Sequence, residues 1–194
     1  MMRRTVLASS FMILLLLLSS CGASRKVAST NKGKHGGHSK ILTDASDARN
    51  LKITDNKLSD YAALLGVGVR ELRNKSLYTF IDDWMGSPHR MGGTKKSGID
   101  CSGFVGLLYA QVYDKSLPRS SYDMGDQVKR KKEKDLEEGD LVFFSFGGKR
   151  IDHVGVYLHN NKFIHVSTRK GVIISNINDA WYNKYFSRAG RPKS

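Results

Sequence analysis

Gly98-Ile99-Asp100-Cys101-Ser102-Gly103-Phe104-Val105-Gly106-Leu107-Leu108-Tyr109 is the stretch around which the rest of the chain is organised. It reads as a tight entry into an apolar helix with a cysteine in the first turn. Asp100 is the right residue type to cap that helix, and Phe104, Val105, Leu107 and Leu108 recur at helical spacing on one face. A thiol in the first turn feels the positive end of the helix dipole and the unpaired N–H groups there. Both favour the thiolate, the form that attacks a carbonyl carbon. An arbitrary cysteine is more often a buried structural residue; a reactive reading needs partners elsewhere in the chain.

Those partners stand downstream. Ile151 to Val166 reads as two strands joined near Asn160-Asn161. With a three-residue loop, His159 to Asn161, Leu158 faces Lys162, Val156 faces Ile164 and Val154 faces Val166. One face is then apolar on both strands, and the other carries His153, Gly155 and Tyr157 beside Phe163, His165 and Ser167. A two-residue loop would slip the register by one and mix the faces. Asparagine suits the left-handed position that the three-residue loop requires. The pattern therefore places His153 and His165 as diagonal cross-strand neighbours, close enough for their imidazoles to hydrogen-bond. A cysteine at a helix start and two histidines on one sheet face form a Cys–His–polar relay: His153 takes the thiol proton and His165 holds the His153 ring in the useful tautomer. His159 sits in the loop and receives no role.

Around this core the chain carries an appendage. Its 194 residues suit one domain of catalytic size rather than two large ones. The formal charge of +14 suits an anionic partner. Basic residues are scattered rather than interleaved with aromatics, so nucleic acid is not expected. At the start, Arg3 and Arg4 precede an apolar run from Val6 to Leu18, too short for a comfortable membrane span and typical of an export signal. The run ends in Leu18-Ser19-Ser20-Cys21, which resembles the lipobox of bacterial lipoproteins, where the cysteine carries the lipid; the alternative is an ordinary signal peptide that happens to contain Cys21. Removal of residues 1–20 takes Arg3 and Arg4 with it and leaves +12 of the +14. The chain has two cysteines, so a lipid on Cys21 leaves Cys101 without a disulfide partner. An unpaired thiol in an oxidising compartment is a liability unless it has work to do.

Residues 21–58 read as the lipidated cysteine and a polar tether too poor in apolar residues to offset its ordering entropy. His35 and His38 within it make too weak a pair for a metal site. The globular domain is expected over 59–194. It opens with a short helix over 59–65 and continues with a helix from Ser76 to Met85, capped by Ser76, whose Leu77, Phe80, Ile81 and Trp84 share a face. Lys129 to Lys134 reads as a solvated basic run, and Leu141 to Phe146 as a continuous apolar strand.

Asp100-Cys101-Ser102-Gly103-Phe104-Val105, His153-Val154-Gly155-Val156-Tyr157 and Phe163-Ile164-His165-Val166-Ser167 resemble the three signature blocks of the NlpC/P60 cysteine peptidases. Leu117-Pro118-Arg119-Ser120, Glu138-Gly139-Asp140-Leu141-Val142-Phe143-Phe144 and Gly171-Val172-Ile173-Ile174-Ser175 match as well. The resemblance covers about residues 74 to 192 and is strongest to Spr-type murein endopeptidase lipoproteins. It implies an α+β, papain-like fold with the nucleophile helix packed on an antiparallel sheet, and hydrolysis of peptidoglycan stem peptides without metal or organic cofactor. By position, Cys101 is nucleophile, His153 base and His165 orienter, while Asp100 and Ser102 match substrate-contacting positions. One departure concerns His89, in Pro88-His89-Arg90-Met91-Gly92-Gly93, where the family usually carries a tyrosine thought to help at the oxyanion or substrate. Two bonds are commonly cut in the family, D-Ala to diaminopimelate in cross-links and γ-D-glutamyl to diaminopimelate within a stem, and the sequence leaves both open. A monomer is expected, in the bacterial cell envelope, anchored by the lipid on Cys21 and facing the periplasm. The competing expectation is a non-catalytic wall-binding lipoprotein that keeps the fold.

The leader generates one prediction. Cys21→Ala should no longer incorporate palmitate in metabolic labelling and should fractionate away from membranes; label retained by the variant would exclude Cys21 as the lipid site.

Overall fold

The computed structural model describes residues 52–193, so the leader, Cys21 and most of the expected tether lie outside the described residues. Helix α1 (Asp55–Leu65) starts ahead of the boundary expected at Ser59. The Thr54 side chain accepts the Lys57 N–H and caps it. By composition Asp55-Asn56-Lys57 looks like tether, but Leu58 joins Tyr61, Ala62 and Leu65 in a buried stripe at helical spacing, and that stripe recruits the preceding turn. Helix α2 (Lys75–Trp84) is capped by Asn74, which accepts the Leu77 N–H, rather than by Ser76. It buries Leu77, Phe80, Ile81 and Trp84, as their spacing requires, together with Tyr78.

A two-stranded hairpin, β1 (Thr94–Lys95) and β2 (Gly98–Ile99), leads into α3 (Cys101–Val112). Asp100 caps α3 as its residue type dictates. Phe104, Val105 and Leu108 are buried on the sheet side, and Leu107 is half-buried. After α4 (Ser121–Asp126) come β3 (Val128–Lys131), β4 (Leu141–Phe144), β5 (His153–Tyr157), β6 (Lys162–Ser167), β7 (Gly171–Asn176), α5 (Ala180–Tyr185) and β8 (Phe186–Pro192). The six longer strands form one antiparallel sheet in the order β3-β8-β4-β5-β6-β7, and α3 lies on β5 and β6. This is the expected α+β architecture.

Both faces of the sheet are covered. On the helical side Leu141, Phe143, Val154, Val156, Ile164, Val166 and Val172 pack with α1, α2 and α3. On the other side Val142, Phe144, Tyr157, Phe163, Ile177 and Ala189 form a second core, with Phe146, Tyr182 and Phe186 against it. The basic run expected to be solvated is in part a strand. Val128–Lys131 pairs with β8, and Lys131 bonds to the fully buried Asp140 at 2.9 Å. Arg191 of β8 holds the other oxygen of that carboxylate. A buried carboxylate needs paired cations, and this one draws them from two strands whose sequence looks like surface.

The β5–β6 hairpin has the register deduced from its pattern. Val156 is opposite Ile164, Gly155 opposite His165, and the Leu158 N–H donates to the Lys162 carbonyl at 2.9 Å. Asn160 and Asn161 both take the left-handed conformation in the loop, at φ 49° and 61°. Gly155 is required by close approach: a Cβ there would lie 2.7 Å from the Ile164 carbonyl oxygen, 2.7 Å from the Phe163 ring and 3.1 Å from the His165 Cβ. Overpacking of this kind typically costs about 1–3 kcal/mol. Gly155→Ala should lose stability of that order in urea unfolding and displace His165; a variant as stable as the parent would mean the hairpin yields without cost.

Candidate active site

Cys101 is the first residue of α3, and the turn beneath it is fixed by one carboxylate. Asp100 is 5% exposed. Its Oδ1 accepts the Gly103 N–H at 2.6 Å, and its Oδ2 accepts the Gly92 N–H at 2.8 Å. Arg119 donates to both oxygens, Nη1 to Oδ1 at 2.9 Å and Nη2 to Oδ2 at 2.6 Å, and Nη1 also donates to Ser102 Oγ at 2.8 Å. Burial pushes the Asp100 carboxyl up, but Arg119 and the two backbone N–H groups outweigh it and hold the group below the usual carboxylate range. Asp100 and Ser102, expected at the substrate, are thus already bonded within the protein, and the half-exposed Arg119 guanidinium stands over them. In the sequence Arg119 stands in a matching block without an assigned role. Its pairing with Asp100 spans two loops and leaves no local signal.

The thiol is not the ready thiolate that its helix position alone suggests. Burial pushes Cys101 up; the N–H groups of Val154, Ser102 and Cys101 itself pull it back, and the Asp100 charge works against them. The net shift is upward, so desolvation beats the helix terminus. Attack by sulfur then needs a base to take the proton.

The candidate base, His153, is placed by β5. Val154, whose backbone draws the Cys101 thiol down, is the residue after His153. His153 Nε2 lies 2.9 Å from His165 Nδ1, as the hairpin register requires. Burial lowers the His153 imidazole to about 4, with the Asp152 charge opposing and the His89 ring adding to the drop. His165, 2% exposed, is pushed well below the ordinary imidazole range by burial and then by His153. Both rings are therefore neutral near pH 7, and only one proton lies between their facing nitrogens. His165 Nε2 lies 3.0 Å from Ser175 Oγ and 3.1 Å from Tyr182 Oη. In the sequence Ser175 is only the last residue of a matching block, without a role, and Tyr182 carries no signal. Ser175 alternates unremarkably along β7, and Tyr182 sits on a short helix unrelated to the signature blocks.

His89 joins the site through the loop that leads into α3. Its segment bridges to β2, where the Ile99 N–H donates to the Pro88 carbonyl and the Arg90 N–H to the Ile99 carbonyl, both at 3.0 Å. On the opposite rim Phe146 packs on His153 with ring centroids 5.3 Å apart, and the exposed Trp181 stacks on Phe146 at 5.8 Å. His159 is remote from these groups in role: it bonds to Glu138 at 3.1 Å. Among the described residues no three His, Cys, Asp or Glu side chains are grouped to hold a metal ion. His35, His38 and Cys21 lie outside the described residues.

Comparison with known proteins places the chain in a family. The NlpC/P60 family profile matches residues 86–191. The chain is 34% identical to the murein DD-endopeptidase MepS/murein LD-carboxypeptidase of Escherichia coli over 176 residues, 91% of this chain and 86% of that one. It is 40% identical to the probable endopeptidase NlpC of Escherichia coli over 112 residues, 57% of this chain and 73% of the other. Among solved structures, an NlpC/P60 family protein from Bacillus cereus superposes with a TM-score of 0.55 at 26% identity, covering 62% of this chain and 41% of that one.

The electrostatics make a direct prediction. His153 is held to about 4 by burial, against an ordinary imidazole value of 6.5. Its ring resonances should titrate near pH 4 in an NMR pH series, and the ring should be neutral throughout the range above. By linkage, a folded value below the unfolded one means stability present above about pH 6.5 is lost as pH falls toward 4. A midpoint for His153 at about pH 6 or higher would contradict the buried, neutral base.

Proposed function

Because the chain belongs to the NlpC/P60 family, we propose that it is a cysteine endopeptidase that hydrolyses stem-peptide amide bonds of peptidoglycan, of the DD type named for the relative it matches over most of its length. The observation that carries the reading is the 2.9 Å His153–His165 bond on the two strands against which the Cys101 helix packs. A structural cysteine would need neither two neutral histidines in register nor a helix start tied down by a buried ion pair.

In this reading His153 removes the Cys101 proton as the sulfur attacks the amide carbonyl carbon. The carbonyl π electrons move to oxygen, and N–H groups at the start of α3 face the developing charge, with the His89 imidazole as a candidate further donor. Collapse breaks the C–N bond; His153 returns its proton to the leaving amine and a thioester remains. Water, deprotonated by His153, then attacks the thioester and releases the carboxylic acid and the thiol. His165 accepts the His153 N–H throughout and stabilises the imidazolium formed at each transfer. The basic surface suits a wall polymer rich in carboxylates.

The apolar leader and Leu18-Ser19-Ser20-Cys21 support a place in the cell envelope, with a lipid on Cys21 as anchor and the catalytic domain facing the periplasm. The replacement of the usual tyrosine by His89 is the one feature favouring the rival reading, a wall-binding lipoprotein without catalysis.

One experiment separates the readings. Purified protein lacking the leader, mixed with murein, should release fragments whose masses identify the cut bond. Cys101→Ala should release none while keeping the melting profile of the parent. Cleavage by Cys101→Ala at the parental rate would end the cysteine-peptidase reading, and binding without cleavage by the parent would establish the rival.

A further inference from the structure

His165 can hold His153 in the tautomer that leaves a base free only if its own proton is on the far nitrogen. If His165 carries its proton on Nδ1, that N–H donates to His153 Nε2, and His153 must carry its own proton on Nδ1, the nitrogen left for the thiol. If the proton is on His165 Nε2, Nδ1 accepts from His153 Nε2–H and His153 Nδ1 is bare. What bonds to His165 Nε2 therefore decides whether His153 is a base.

Two hydroxyls meet that nitrogen, Ser175 Oγ at 3.0 Å and Tyr182 Oη at 3.1 Å, and Ser175 Oγ donates to Tyr182 Oη at 3.3 Å. A serine whose proton is directed at the phenol oxygen presents a lone pair to His165. It then accepts Nε2–H, and a nitrogen so protonated has no lone pair left for the Tyr182 O–H, which must point elsewhere. The aromatic packing fixes the triangle: Phe163 stacks on His165 with centroids 4.8 Å apart, and the Tyr182 ring stands edge-on to both Phe163 and His165 at 5.1 and 5.3 Å. We infer that Ser175 and Tyr182 are positioning residues that keep the His165 proton on Nε2 and thereby keep His153 unprotonated toward Cys101.

Each hydroxyl guards against the other. Without the Tyr182 oxygen, Ser175 is released to donate to Nε2, and the His165 proton moves to Nδ1. Without Ser175, Tyr182 is the hydroxyl left to donate there, with the same result. The double loss removes both wrong donors, so its effect should be smaller than the product of the single effects.

The inference rests on the base and nucleophile roles proposed above, and its test is read first without substrate. In protein labelled with ¹⁵N at histidine, long-range ¹H–¹⁵N correlations report which ring nitrogen is protonated. The parent should show His165 protonated on Nε2, and Tyr182→Phe and Ser175→Ala should both gain the Nδ1–H form. Tyr182→Phe keeps the ring and its packing, so loss of fold does not confuse the result. Asp152 and His89, the other groups that act on His153, are untouched in either variant. Alkylation of Cys101 by iodoacetamide at neutral pH should slow in parallel. With murein, kcat should fall about 10-fold while KM stays nearly constant, a part of the 10²–10⁴-fold that a positioned base supplies. Ser175→Thr, which restores the hydroxyl, should recover most of the lost rate. His165 found protonated on Nδ1 in the parent overturns the inference. So does an unchanged tautomer and alkylation rate in both single variants. A parent that fails to cleave murein sinks the proposed function instead, because the tautomer and alkylation readouts remain.

Discussion

The Asp100 carboxylate is the constraint on which the site depends. It ties together three separate stretches, the loop at Gly92, the first turn of α3 at Gly103 and the loop bearing Arg119. Breaking a buried ion pair by removing one partner costs about 3–5 kcal/mol, and the half-exposed Arg119 puts this pair toward the lower figure. With the carboxylate in place the first turn of α3 is fixed, and Cys101 with it, where the helix packs on β5. The close approach of Gly93 to the helix follows from the same knot. A Cβ at position 103 would lie 2.6 Å from the Gly93 carbonyl oxygen, so the residue two past the cysteine has to be glycine.

Against this fixed thiol the sheet sets two neutral rings. Burial raises the cysteine and lowers both histidines, and the three shifts point the same way, toward an uncharged resting site. A preformed thiolate–imidazolium pair would have to be stabilised in the same poorly solvated place. The neutral pair is already joined, with His153 Nε2 2.9 Å from His165 Nδ1. The second core supplies the dryness. Phe144, Phe146 and Phe163 surround the rings, and Tyr182 closes the far side.

The parts legible from sequence are those governed by local periodicity. The α3 cap, the buried face of α2 and the β5–β6 register each follow from residues within a short window, and with the register came the pairing of His153 with His165. What stayed hidden depends on partners distant in the chain. The strand Val128–Lys131 looks like a solvated basic run because its lysines and those around it dominate, while its pairing with β8 is carried by backbone groups. β8 itself, Phe186–Pro192, shows no alternating pattern, since one of its arginines neutralises the buried Asp140. Arg119, Ser175 and Tyr182 were missed for the same reason. Each acts through a contact made by tertiary packing, and none carries a chemical signature of its own. The first turn of α1 was hidden because three polar residues at 55–57 outweigh the single Leu58 that anchors it.

The place of β8 in the sheet has a kinetic meaning. It is the last strand in the chain, yet it lies between β3 and β4, so the sheet is split until residues 186–192 arrive. Until then Asp140, destined to be wholly buried, lacks Arg191, and β3 has no neighbour to pair with. Closing so long a loop is entropically slow and gives little return before the final pairing forms. The Cys101 helix is therefore made well before the sheet it packs on can be completed, and the site at their junction assembles only with the final strand.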